Sequence, residues 1–145
     1  MDTFLSPVPP MRGGSSQASQ NPMVGFICLL EGFKSKIKNL HWATTEGMPE
    51  HEEYDSLYKD IHDFEDDIQE QSMGMYGQIR PDVIHPIESD SIDSISLVDS
   101  ILSSVYSFYQ NNLVEGIAVA GLRSSFDQFI GQMNKRKYRF NLCKK

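Results

Sequence analysis

HWATTEGMPEHEEYDSLYKDIHDFEDDIQE, residues 41–70, holds a turn, a helix start and a helical repeat in one run. Pro49 at a first-turn position, followed by Glu50, Glu52 and Glu53, predicts the start of a helix. Tyr54, Leu57, Tyr58, Ile61, Phe64, Glu65 and Ile68 then recur at three- and four-residue steps, the period of an amphipathic helix. Ten of the twenty-one residues from Glu50 to Glu70 are acidic, against one basic residue, Lys59. Such a helix is by default a solvated face. Two pairs of side chains on it nevertheless have the donors and the spacing of metal ligands. His51 and Asp55 are four apart and share a face, and Asp66 and Glu70 do the same. At about 100° per residue, Asp55 and Asp66 differ by only about 20° in azimuth, so both pairs lie on one stripe.

Within one chain the two pairs cannot hold one ion. Asp55 and Asp66 are separated by roughly 16 Å along the helix axis, whereas a ligand shell has a radius of about 2 Å. If the pairs cooperate, they meet in trans. Two copies of the helix, antiparallel across a two-fold axis, set His51 and Asp55 of one chain opposite Asp66 and Glu70 of the other. His41, at the end of the preceding segment, adds a third ligand from the first chain.

The residues His41-Trp42, His51, Asp55, Tyr58, Asp66, Ile68 and Glu70 resemble the Dps-like miniferritins, small ferritin-like shells that oxidise and store iron. The spacing from the second histidine through the following acid to the acid pair, 51, 55, 66 and 70, is kept. The resemblance implies an all-α, ferritin-like four-helix bundle with a long connection between its second and third helices. It also implies a ferroxidase centre shared between two-fold-related subunits, with His41, His51, Asp55, Asp66 and Glu70 as ligands to iron. The substrate would be Fe(II), the oxidant hydrogen peroxide or dioxygen, and the assembly a homo-oligomeric shell, a dodecamer in the family. Two departures stand out. The interval from His41 to His51 is two residues shorter than is usual in the family, and the Asp-x-x-Thr start of the last helix is absent.

The chain has 145 residues, a net charge of −7 and a sequence pI near 5.0. That length suits one domain with a sizeable core. The acidic balance disfavours nucleic-acid binding by the body of the protein and suits a cation-collecting surface. Two cysteines, Cys28 and Cys143, without a CxxC pair fit a reducing, cytoplasmic setting. No run of eighteen apolar residues and no basic-then-apolar leader is present, so neither a membrane span nor a secretory signal is expected.

Residues 1–20 read as an extended or disordered tail, broken by Pro7, Pro9 and Pro10, in which Phe4, Leu5, Val8 and Met11 are candidate anchors on a neighbouring subunit or other assembly protein. With one Arg and no Lys, this tail lacks the lysines through which some Dps proteins bind DNA. The bundle is expected over 21–145. Asn21-Pro22 opens a first helix running to about Ala43, with Val24, Ile27, Leu30, Phe33, Ile37 and Leu40 inward and Lys34, Lys36 and Lys38 solvated. Trp42 is expected to pack in the core or, by the resemblance, to line the iron site. The second helix runs to about Met73. Residues 74–91 are long enough to cross the bundle. A third helix is expected over about 92–111, and a fourth over about 114–138 with Ile117, Leu122, Phe126, Phe129, Ile130 and Met133 inward. The last eleven residues carry six Lys or Arg. Their default is a solvated terminus, with binding to an acidic partner or nucleic acid as the minor alternative.

No Glu is followed by His three residues later, so the Glu-x-x-His pair of the larger di-iron bundles is missing. Phosphate-loop and nucleophile-elbow motifs are also missing. Two expectations from different classes result. One is a Dps-like ferroxidase and iron-storage protein with an inter-subunit metal site. The other is a structural building block with the same fold, used in a larger assembly such as a virion or shell.

Overall fold

A computed structural model of the chain describes residues 21–44 and 47–144. The tail, with the anchors Phe4, Leu5, Val8 and Met11, lies outside the described residues. Four helices account for most of the rest: α1 (Met23–Ala43), α2 (Met48–Tyr76), α3 (Ser94–Asn112) and α4 (Ala120–Cys143). There is no strand among the described residues. The all-α bundle expected from periodicity is therefore present. None of the helices is long and apolar enough to cross a membrane.

Helix α1 packs on α2 and α3, and α4 packs on α2 and α3, so α1 and α4 are diagonal. Each helix contributes one phenylalanine to the centre. Phe26 of α1 lies 6.2 Å from Phe64 of α2, 5.0 Å from Phe108 of α3 and 5.3 Å from Phe126 of α4, centroid to centroid. Phe126 in turn lies 5.0 Å from Phe64 and 5.3 Å from Phe108. Above and below this layer, Leu30, Leu57, Ile61, Ile68, Leu97, Ile101 and Met133 are fully or almost fully buried. The apolar stripe of α2 is buried as its period requires, and it carries Glu65 inside with it.

Helix starts follow local chemistry. The Asn21 side chain accepts a hydrogen bond from the backbone of Met23 at 2.9 Å, one of the orphan donors of α1. Asp93 caps α3 and forms a reciprocal box with Ser96. The last helix departs from expectation. It begins at Ala120 and ends at Cys143, several residues later at each end than its periodicity indicated. Gly116, at φ 102°, takes the chain out of helix geometry, and a single 3-10 turn, Ile117–Val119, leads into α4. Ile117, expected inward, is 91% exposed, and Val119 takes the buried position instead. The late end brings Phe140 into the core against Tyr54 of α2, with centroids 5.0 Å apart.

The basic end of α4 is not a loose solvated terminus. Arg136 reaches Glu53 at 2.7 Å and Asp60 at 2.7 Å on α2, Lys137 reaches Asp99 of α3 at 2.8 Å, and Arg139 lies 3.8 Å from Glu53. These bases neutralise part of α2's acidic run, which leaves less positive charge for nucleic acid.

Residues 77–93, with one 3-10 turn at Pro81–Val83, return along the bundle to start α3. The backbone N–H of Ile87 donates to the carbonyl of Cys28 at 3.0 Å. This close approach needs a glycine. A Cβ on Gly32 would stand 1.6 Å from the Ile87 carbonyl oxygen, while a Cβ on Gly25, one side of the same helix, would meet nothing. Gly32→Ala is expected to destabilise the fold by roughly 1–3 kcal/mol despite its better helix propensity. Gly25→Ala is expected to stabilise it by about 0.5–1 kcal/mol. Urea unfolding of both variants checks the contrast; equal effects would show that the crossover does not lie on α1 at Gly32.

Candidate metal centre

The short turn between α1 and α2 places the last turn of one helix against the first turn of the next. His41 lies in the former and His51 in the latter, where the His51 backbone N–H donates to the carbonyl of Gly47 at 3.3 Å. The imidazoles stack with centroids 3.8 Å apart and planes at 31°. His41 Nδ1 lies 3.1 Å from the carbonyl oxygen of His51, and its Nε2 lies 3.6 Å from Asp55 Oδ1. One donor atom from each of His41, His51 and Asp55 falls within 4.8 Å of the others. His41 and His51, ten residues apart in sequence, thus stand within reach of one another and of Asp55.

The hydrogen bond to a carbonyl sets the protonation of His41. A carbonyl only accepts, so Nδ1 carries the proton. In the neutral ring Nε2 then presents a lone pair to a carboxylate oxygen. Two electron-rich atoms face each other, and a cation between them, a proton or a metal ion, turns that contact favourable. The donors suit a metal of the iron and zinc group, because imidazole with carboxylate serves both. Donors as much as 4.8 Å apart would each close by roughly half an ångström or more to sit on a shell of about 2 Å radius. The Asp55 side chain is 68% exposed, so the cluster opens outward from α2. Beside it, Thr44, Gly47, Met48 and His51 line a depression of about 260 Å³.

Asp66 and Glu70 do not join this cluster. Both are exposed on α2, roughly 16 Å and more from Asp55 along the axis, and neither has an ion pair or side-chain hydrogen bond among the described residues. Trp42, expected in the core or lining the iron site, is 74% exposed. It follows His41 in the last turn of α1 but points away from the apolar stripe.

A second polar cluster was not expected from the sequence. Lys34, read there as solvated, is largely buried between α1 and α2. Its Nζ lies 2.9 Å from Glu31 Oε2, 3.0 Å from Glu65 Oε1 and 3.4 Å from His62 Nδ1. Burial pushes the Glu65 carboxyl up to about 7, helped by a hydrogen bond shared with Glu31 and opposed by Lys34. Glu31 is lowered, first by that same bond and then, against its own burial, by Lys34. The two carboxyls therefore titrate jointly, Glu65 held up and Glu31 held down. The sequence signals were present in Glu65, which falls on the apolar stripe, and in the three-residue step from Glu31 to Lys34.

Because Glu65 binds its proton more tightly folded than unfolded, its contribution is full below about pH 4.5 and is lost as pH rises through about 7. Glu65→Gln keeps the shape and the donor without the titration. Thermal melts of the variant are expected to gain on the parent as pH rises from 5 to 8; a constant difference across that range would contradict the assignment.

A protein-family model described as a family of unknown function (DUF5856) matches residues 41–140. No curated protein and no solved structure is significantly similar to the chain. The matched segment begins at His41, includes both metal-competent pairs of α2 and ends at Phe140. It covers more than half of the chain, which therefore belongs to this family of unknown function.

Proposed function

We propose that this protein binds Fe(II) as a substrate and oxidises it in a Dps-like, ferritin-like assembly of its own copies. The observation that carries the reading is the convergence of His41, His51 and Asp55, three ligands expected from sequence, on one outward-facing spot. The helix count and the long connection between α2 and α3 also support it. So does the exposure of Asp66 and Glu70 on the same helix.

In this reading two copies of α2 lie antiparallel about a two-fold axis. His51 then faces Glu70 of the other copy, and Asp55 faces Asp66. His41, His51 and Asp55 hold iron from one side while the acid pair of the second copy closes the site. Carboxylates stabilise the ferric product more than the ferrous substrate, because hard anionic oxygen favours the higher charge. Hydrogen peroxide or dioxygen takes the electrons. With peroxide, two Fe(II) ions each give one electron and two protons are consumed as two waters form. The unneutralised acids of facing helices repel until cations enter, so the dimer tightens with divalent metal. Dimers close into a shell in which ferric product collects, in a reducing compartment such as the cytoplasm.

The alternative is a structural building block without this chemistry. Exposed Trp42, Met48, Ile92 and Ile117 favour it, since such side chains seek neighbours whether or not iron is bound.

The test is complementation. His51→Ala alone, and Asp66→Asn with Glu70→Gln together, are each expected to lose Fe(II) oxidation by tenfold or more while keeping their helical circular dichroism. Every mixed dimer contains one doubly defective site and one intact site, so co-assembly is expected to restore activity towards half of the parent's value per mixed dimer. No recovery would place the ligands within one chain. Full oligomerisation with unaltered iron oxidation in both variants would favour the structural reading.

A further inference from the structure

Lys34 sits between two carboxyls and an imidazole, donor types that also ligate metal ions. An ammonium has three N–H donors and no acceptor. Here each donor meets a different electron-rich atom: Glu31 Oε2 at 2.9 Å, Glu65 Oε1 at 3.0 Å and His62 Nδ1 at 3.4 Å. Because the ammonium can only donate, His62 accepts through Nδ1 and carries its own proton on Nε2. The lysine and one carboxyl come from α1, the imidazole and the other carboxyl from α2. The Lys34 side chain is 12% exposed and that of Glu65 8%. The ring of Tyr58 lies 5.8 Å from Nζ and completes the surround on the side towards His41 and Asp55.

We propose that Glu31, His62 and Glu65 form a second cation site, contained in one bundle, whose resident cation is the chain's own Lys34 ammonium. Two carboxyls and one imidazole are donors that suit a divalent transition metal, although among the described residues only those of His41, His51 and Asp55 already stand within 4.8 Å of one another. Lys34 excludes such an ion in two ways. Its charge satisfies the carboxyls, and its size holds them apart: the N···O separations are 2.9 and 3.0 Å, against about 2.0–2.2 Å for metal–oxygen bonds. Lys34 is thus a specificity residue, directing divalent metal away from the bundle and leaving the edge cluster of His41, His51 and Asp55 as the place for it. The Lys34 site stands whether or not that edge cluster handles iron.

The experiment removes the edge cluster first. In full-length chain carrying His41→Ala and His51→Ala, Co(II) titration followed by visible absorption is expected to show no imidazole-bound Co(II). Adding Lys34→Met is expected to create one Co(II) site per chain, and adding Glu65→Gln to abolish it. Lys34→Gln, which keeps a hydrogen-bonding side chain, repeats the comparison should the methionine variant unfold. A folded Lys34 variant that takes up no more Co(II) than its parent would overturn the proposal, as would a gained site indifferent to Glu65→Gln. The unaltered chain gives an independent readout. Nitrogen-detected magnetic resonance should show a lysine ammonium protected from solvent exchange that disappears in Lys34→Met; an ammonium in free exchange would refute its residence in the site.

Discussion

The contact of four phenylalanines, one from each helix, sets the rotation of every helix about its own axis. Phe26 meets Phe64, Phe108 and Phe126 at centroid separations of 5.0–6.2 Å, so it cannot turn outward without leaving a gap against rings of all three other helices. With Phe64 inward, helical geometry leaves His51, Asp55, Asp66 and Glu70 no choice but to face away from the core. The side chains of chemical interest are therefore placed by apolar packing, and no ligand or polar bond is needed to aim α2.

Electrostatics then divides the acids of that helix. Arg136 engages Glu53 and Asp60 from the α4 side, and Lys34 engages Glu65 from the α1 side. Asp67 accepts a hydrogen bond from Ser125 at 2.6 Å. Lys59 pairs only locally with Asp63, at 2.8 Å on an exposed turn where such a bond contributes little. What remains unneutralised is the outward stripe containing Asp55, Asp66 and Glu70. The net charge of the protein is therefore a poor guide to where it attracts cations; the pattern of internal pairing is a better one.

Much of this was legible in the sequence. The period of α2 named its buried residues, including Glu65, and the spacing of His51 to Asp55 placed both on one face. Sequence also gave His41 a role, although only the folded turn shows His41 stacked on His51. Other features were hidden because they depend on partners distant in the chain. Lys34 looked solvated because it lies off the apolar stripe of α1 and its acceptor Glu65 lies 31 residues away. The bases of α4 looked free because their acids are on α2 and α3. Trp42 looked buried by residue type, but helix phase put it on the outer face. The late start of α4 turned on the backbone of Gly116, whose positive φ no hydrophobic pattern reveals.

The placement of the His41, His51 and Asp55 cluster has a consequence for how the chain folds. All three residues belong to the α1–α2 hairpin and are separated by at most fourteen positions, whereas the Ile87–Cys28 bond that fastens the crossover spans 59. Closing a short loop costs less entropy than closing a long one, so local contacts form first. The cluster can therefore assemble on a half-folded chain, before α3 and α4 dock. An ion captured at that stage would hold the first hairpin together while the second is still being found. Such an ion would act as a folding template, and the order of ion binding and helix docking would be set by chain topology.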